Sequence, residues 1–152
     1  MKPRLPIYAG RLERLFANLI DTIILVIPGG LLSAALGPDG LGMLAMFAIS
    51  VAYYTYFTAS SWQATPGKRL LGIYVMRTDH RMLGPRDALE RFLAYTIPSL
   101  PIYTSLISPQ IAPLLVFWLS LFWFAPILFT PERMGMHDRL CRTRVLVGRV
   151  GI

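Results

Sequence analysis

Four apolar runs divide this chain, and they constrain its fold more than any other feature. Residues 15–36 hold Asn18 and Asp21 as notable polar members, while residues 41–59, 92–107 and 111–129 carry no charge. About 20 consecutive apolar residues carry a helix across the hydrocarbon core of a bilayer. The first, second and fourth runs meet that length. The third is short and holds Pro98 and Pro101. Charged residues make up only 15% of the chain, against about 25% in soluble proteins, as expected when much of the surface meets lipid.

The distribution of charge says more than the net value of +7. Lys2, Arg4, Arg11 and Arg14 precede or open the first run. Lys68, Arg69, Arg77, Arg81, Arg86 and Arg91 fall between the second and third, and Arg133, Arg139, Arg142, Arg144 and Arg149 follow the fourth. The connection 37–40 has only Asp39, and 108–110 has no charge. Four crossings place all 15 basic residues on one side, which the positive-inside rule makes cytoplasmic. Basic residues that flank apolar runs, rather than gathering on a soluble face, argue against nucleic-acid binding.

The expectation is a single all-α membrane domain over 1–152, with helices at about 12–36, 41–59, 87–107 and 111–129. A cytoplasmic loop covers 60–86 and a cytoplasmic tail 130–152, in the inner (cytoplasmic) membrane. The third helix is Pro-interrupted, and crossing and re-entry both remain open for it. Ser33-Ala34-Ala35 resembles a signal cleavage site, but the run before it is long for a signal peptide and contains an aspartate, so an uncleaved first helix is expected.

Within the loop, Thr65-Pro66 reads as an N-cap followed by proline at the first helical position of a short interfacial helix. Residues 71–78 and Thr143–Val147 are β-prone, and their pairing at the membrane surface is expected. An internal likeness joins the halves: Leu12-Glu13-Arg14-Leu15-Phe16-Ala17 recurs as Leu89-Glu90-Arg91-Phe92-Leu93-Ala94, and Thr65-Pro66 as Thr130-Pro131. Such a chain consists of two pseudo-repeated helix pairs related by an axis along the membrane normal. The likeness fails at Asp21, which falls opposite Pro98.

Asp21 is the hardest residue to explain, since an aspartate inside an apolar helix costs about 2.5–3.5 kcal/mol on insertion scales. It should face the bundle interior and have a partner. Arg14 and Asn18 lie on the same helical face, which makes a polar stripe Arg14–Asn18–Asp21. Arg14 stands about 10.5 Å away along the axis, so direct contact is barely reachable. Arg91, opening the third helix, is the candidate partner. Asp138 is expected to bond Arg14 or the basic loop and so to clip the tail beneath the bundle.

Arg14 with Asp21, the loop stretch Ala64-Thr65-Pro66-Gly67-Lys68-Arg69-Leu70-Leu71-Gly72 and the later His137-Asp138-Arg139-Leu140 together resemble the RDD family, over essentially the whole chain. That family is named for one arginine and two aspartates, and the positions that match are Arg14, Asp21 and Asp138. The resemblance implies a small polytopic membrane protein, with transport, including sodium/proton antiport, associated with some members.

Two functional classes follow, transport as the leading expectation and a scaffold as the alternative. In the first, a transporter or transporter component, Asp21 titrates or binds a small cation. Four helices leave little room for a pathway in one chain, so this class expects a homo-oligomer. In the second, a membrane scaffold or accessory subunit, the polar residues are structural and the basic face binds lipid or a partner protein. Lys68, Arg69 and Trp62 are expected at the interface, with the two cations meeting anionic headgroups. No catalytic constellation is present, so no enzymatic activity is expected. Thr65-Pro66-Gly67-Lys68 lacks the glycine and hydroxyl of a phosphate-cradling loop. The lone Cys141, with His80 and His137, does not form a metal pattern, and no cofactor is expected.

Overall fold

The computed structural model describes residues 7–37, 40–103, 107–108 and 110–148. Lys2, Arg4, Asp39 and Arg149 lie outside these, as does the middle of the turn 108–110. The protein is mostly helical. Helices α1 (Arg11–Leu36) and α2 (Gly40–Ala59) are followed by the short α3 (Pro66–Leu70) and strand β1 (Ile73–Arg77). Next come α4 (Pro85–Thr96), α5 (Ala112–Phe124) and α6 (Pro126–Phe129), then the short α7 (Met136–Leu140) and strand β2 (Thr143–Val147).

Three stretches are long and apolar enough to cross a membrane: Arg11–Leu36, Gly40–Ala59 and Ala112–Phe129. Their apolar side chains point outward. On α1, Leu12, Leu15, Leu19, Ile23, Val26, Ile27 and Leu31 are all exposed, while Arg14, Ala17, Asp21 and Leu25 are buried. A soluble helix turns its apolar stripe inward. Here the inward stripe, spaced at three and four residues, carries the two charges, and the apolar remainder suits lipid.

The third run differs from a regular span. Helix α4 ends at Thr96 and continues as a 3-10 helix over Ile97–Tyr103. Pro98 and Pro101 account for the change, because neither can donate the amide hydrogen that an α-helical turn needs. Pro126 likewise separates α5 from α6.

The two β-prone runs do pair. β1 and β2 form an antiparallel ladder from Ile73 opposite Val147 to Arg77 opposite Thr143. A two-stranded sheet is marginal alone, and the N-terminal segment adds to it: the Ala9 amide donates to Val145 O at 3.0 Å and the Val147 amide to Ile7 O at 2.9 Å. Ala9, Ala17, Ile73, Val75, Leu83 and Val145 form a small core beneath this platform, with Leu71 against it. Gln63 pins the loop to it. Its Nε2 donates to Leu83 O at 3.1 Å, and its carbonyl accepts from the Val75 amide at 2.7 Å. The platform therefore sits at the bundle end where α1 and α4 begin and α2 ends, which is where the charged residues gather.

Candidate functional site

The two aspartates occupy separate sites, each wholly buried. Asp21 is held by three donors. Tyr53 of α2 donates its hydroxyl to Oδ1 at 2.8 Å, the Gly67 amide donates to the same oxygen at 2.8 Å, and Thr65 donates its hydroxyl to Oδ2 at 2.5 Å. Thr65 does stand at the N-cap position of α3, but its hydroxyl makes no capping bond; the carboxylate of Asp21 takes it instead. Gly67 is required for this approach, since a Cβ there would collide with the carbonyl oxygen of Ala17 and lie 2.9 Å from Asp21 Cγ. Asp21 thus fastens the start of α3 to the side of α1.

Asp138 is the hub of the other site. As the third residue of α7 it accepts the Gly135 amide at 3.3 Å, closing the first turn of its own helix. Arg14 of α1 donates to its Oδ2 at 3.1 Å, and Arg91 of α4 donates to Oδ1. Thr143 of β2 donates to Oδ1 at 3.4 Å and receives the Nε of Arg91 at 3.1 Å. One carboxylate therefore ties α1, α4, α7 and β2 together. Burial would raise its carboxyl, but His137, Arg91 and Arg14 outweigh burial and hold it well below the usual carboxylate range. Burial pushes His137 itself down to about 4, between the rings of Tyr95 and Phe124. At neutral pH the two guanidiniums consequently supply the compensating charge.

These contacts differ from the sequence expectations in three respects. The stripe Arg14–Asn18–Asp21 is split: Arg14 turns toward Asp138, Asn18 lines a cavity, and Asp21 faces Tyr53 and α3. Arg91 pairs with Asp138 rather than Asp21. Lys68 does not reach outward to headgroups; only 7% of it is exposed. The docking of Gly67 against α1 rotates the next residue inward, and burial, with Arg91 nearby, pushes the Lys68 ammonium down to about 8. Arg69 does remain outside, with its guanidinium 3.8 Å above the Trp62 ring.

A small cavity separates the two sites. It measures about 50 Å³, and Arg14, Lys68, Arg91, Asn18, Tyr54 and His137 are among its lining residues. Lys68 links it to Asp21, because its ammonium donates to Thr65 Oγ1 at 3.4 Å and Thr65 in turn donates to Asp21. Sequence reasoning missed Tyr53 as a ligand of Asp21, along with Thr143 and His137 beside Asp138. Tyr53 lies in the aromatic stretch Tyr53-Tyr54-Thr55-Tyr56-Phe57, where nothing local marks it as a partner of Asp21. Among the described residues, no group of three or more His, Cys, Asp or Glu side chains is placed to hold a metal ion.

The RDD family model matches residues 8–142, a range that holds Arg14, Asp21 and Asp138. The chain belongs to the RDD family. A relative, YxaI of Bacillus subtilis (strain 168), itself described as uncharacterized, is 32% identical over 104 residues, which cover 68% of this chain and 56% of the relative. This RDD protein thus spans little more than half the length of that relative. With its family and its outward-facing apolar helices, it is a membrane protein.

Proposed function

We propose that this RDD protein is a non-enzymatic scaffold or accessory subunit of the inner membrane, with both termini and the basic loop cytoplasmic. In this reading Asp21 and Asp138 lock the cytoplasmic end of the bundle, while the exposed basic residues meet anionic lipid or a partner protein. The observation that carries it is the set of donors that holds Asp21. Both its oxygens take donors from Tyr53, Thr65 and Gly67, and those donors belong to the fold rather than to a passing ion. The exposed Phe117, Trp118 and Phe122 of α5 offer lipid, or a second copy, an apolar face.

Four crossings fit this reading. They keep all 15 basic residues on one side, as the positive-inside rule expects, while the uncharged part of the third run, residues 92–103, reaches about 22 Å and so crosses only with the residues that follow it. The two-half arrangement has support as well. In each half a five-residue helix leads through two residues into a five-residue strand, and the corresponding Val75 and Val145 face each other at the centre of the ladder. Single cysteines placed at 37–40 and at 108–110 in a Cys141→Ser background should both react with an impermeant thiol reagent from outside. Protection of the second position would make the last two runs a re-entrant hairpin, because β1 and β2 pair on one side of the membrane.

Transport is the second reading. The link from Asp21 through Thr65 to Lys68 favours it, because Lys68 sits on the cavity and holds its proton weakly. Purified protein in proteoliposomes separates the two readings. As a scaffold it moves no protons in exchange for sodium or potassium, and Asp21→Asn melts well below wild type. Cation-dependent proton flux that Asp21→Asn abolishes without lowering the melting temperature would establish transport instead.

A further inference from the structure

The cavity between the two aspartate sites is built for a ligand of negative charge. Three cations, Arg14, Lys68 and Arg91, line it. The carboxylates within reach are Asp138, which the two guanidiniums share, and Asp21, which Lys68 reaches only through the Thr65 hydroxyl. His137 lines it uncharged at neutral pH. Three positive groups against two negative ones leave one positive charge over.

The surplus is also visible in the hydrogen bonding. The Nε of Arg14 is buried and has no partner among the described residues. Lys68 Nζ has the Thr65 oxygen at 3.4 Å and the face of the Tyr54 ring at 5.8 Å, but makes no ion pair with a carboxylate among the described residues. A buried cation without a counter-ion is costly, and water can solvate the charge without neutralising it.

Size and geometry narrow the class. A space of about 50 Å³ takes roughly three to five waters, which matches the five heavy atoms of a phosphate. The donors come from three separate elements, α1, α3 and α4. A planar carboxylate suits a guanidinium fork, and Asp138 already fills that role. A tetrahedral anion accepts donors from several directions at once. We propose that this cavity binds a phosphate group, either inorganic phosphate or the phosphomonoester of a lipid headgroup, with Lys68 Nζ and Arg14 Nε as its principal donors. The proposal does not rest on the scaffold reading, which leaves Lys68 unused, whereas the transport reading would draw on the same ammonium.

Purified full-length protein in detergent tests it, with melting temperature read during titration with sodium phosphate against sodium chloride at matched ionic strength. The protein is then placed in bilayers of phosphatidylcholine alone and of phosphatidylcholine mixed equally with phosphatidic acid. A phosphate-specific rise in melting temperature in detergent identifies free phosphate as a ligand. A rise confined to the phosphatidic acid bilayer identifies the lipid. In either case Lys68→Met should weaken the effect by about tenfold or more, the scale of one charge-assisted hydrogen bond, while folding normally. Lys68→Arg should restore part of it. No stabilisation in either setting, or an undiminished response in Lys68→Met, would overturn the proposal.

Discussion

Asp138→Asn is the sharpest test of how this end of the molecule is held. The substitution keeps the size of the side chain, so it opens no void; it removes only the charge and one acceptor. Arg14 and Arg91, both largely buried, would then face each other and Lys68 without the carboxylate that separates them. Removing one partner of a buried ion pair costs about 3–5 kcal/mol, because the remaining charge is stranded away from water. For a protein of this length that corresponds to a fall in melting temperature on the order of 10 °C. Fluorescence-detected size exclusion of heated detergent samples measures it. Because the pair is buried, high salt should change the loss little. Adding Lys68→Met should return part of the stability by removing one of the stranded cations. If Asp138→Asn melts with wild type, the carboxylate does not hold the helices together, and the reasoning fails.

Two further outcomes follow from the same geometry. Gly67→Ala should cost about 1–3 kcal/mol or more, since its Cβ would meet the backbone of Ala17; the same melting assay reads it, and an unchanged melting temperature would mean α3 does not dock as described. Acid should destabilise the protein between pH 6.5 and 4. His137 ionises near 6.5 when unfolded but only at about 4 when folded, so over that interval the unfolded chain binds the extra proton and stability falls as pH drops, by about 3 kcal/mol in all. His137→Gln should flatten that slope in melting temperatures measured across the range, leaving the steeper loss expected at lower pH from Asp138.

The sequence disclosed the ends of this architecture better than its joints. Apolar run length and the sidedness of Lys and Arg are properties of the chain itself, so the membrane reading and the long helices could be read directly. Asp21 and Asp138 were also visible, one by its cost in an apolar helix and both through the family pattern. The bond between Asp138 and Arg14 was expected too, and it is made. The partners of Asp21 were not legible: Gly67 lies 46 positions away, and helical periodicity tells which residues share a face but not which distant loop will dock there. Lys68 shows the same limit. A lysine beside an arginine in a basic loop reads as exposed, and only the contact of Gly67 with α1 turns it inward. The proline-bearing third run could be read as irregular from residue chemistry alone, because the missing amide is a local fact.

The asymmetry between the two helix–strand units explains why the cavity carries excess charge. Lys68 is the third residue of α3 and Asp138 the third of α7, and each unit runs on into one strand of the same ladder. The arginines have matching places as well, since Arg14 and Arg91 each follow a Leu-Glu pair at the start of the helix that its unit packs against. Were both third positions acidic, each arginine would have its own carboxylate and the centre would be balanced. With lysine at one of them, two arginines must share Asp138, and the lysine adds a cation where a balanced frame would have an anion. Stability alone would favour replacing that lysine with an apolar side chain, because burying an unpaired ammonium works against folding. A gain in melting temperature for Lys68→Met, together with loss of the phosphate response, would therefore show that this residue costs the fold stability and serves the ligand.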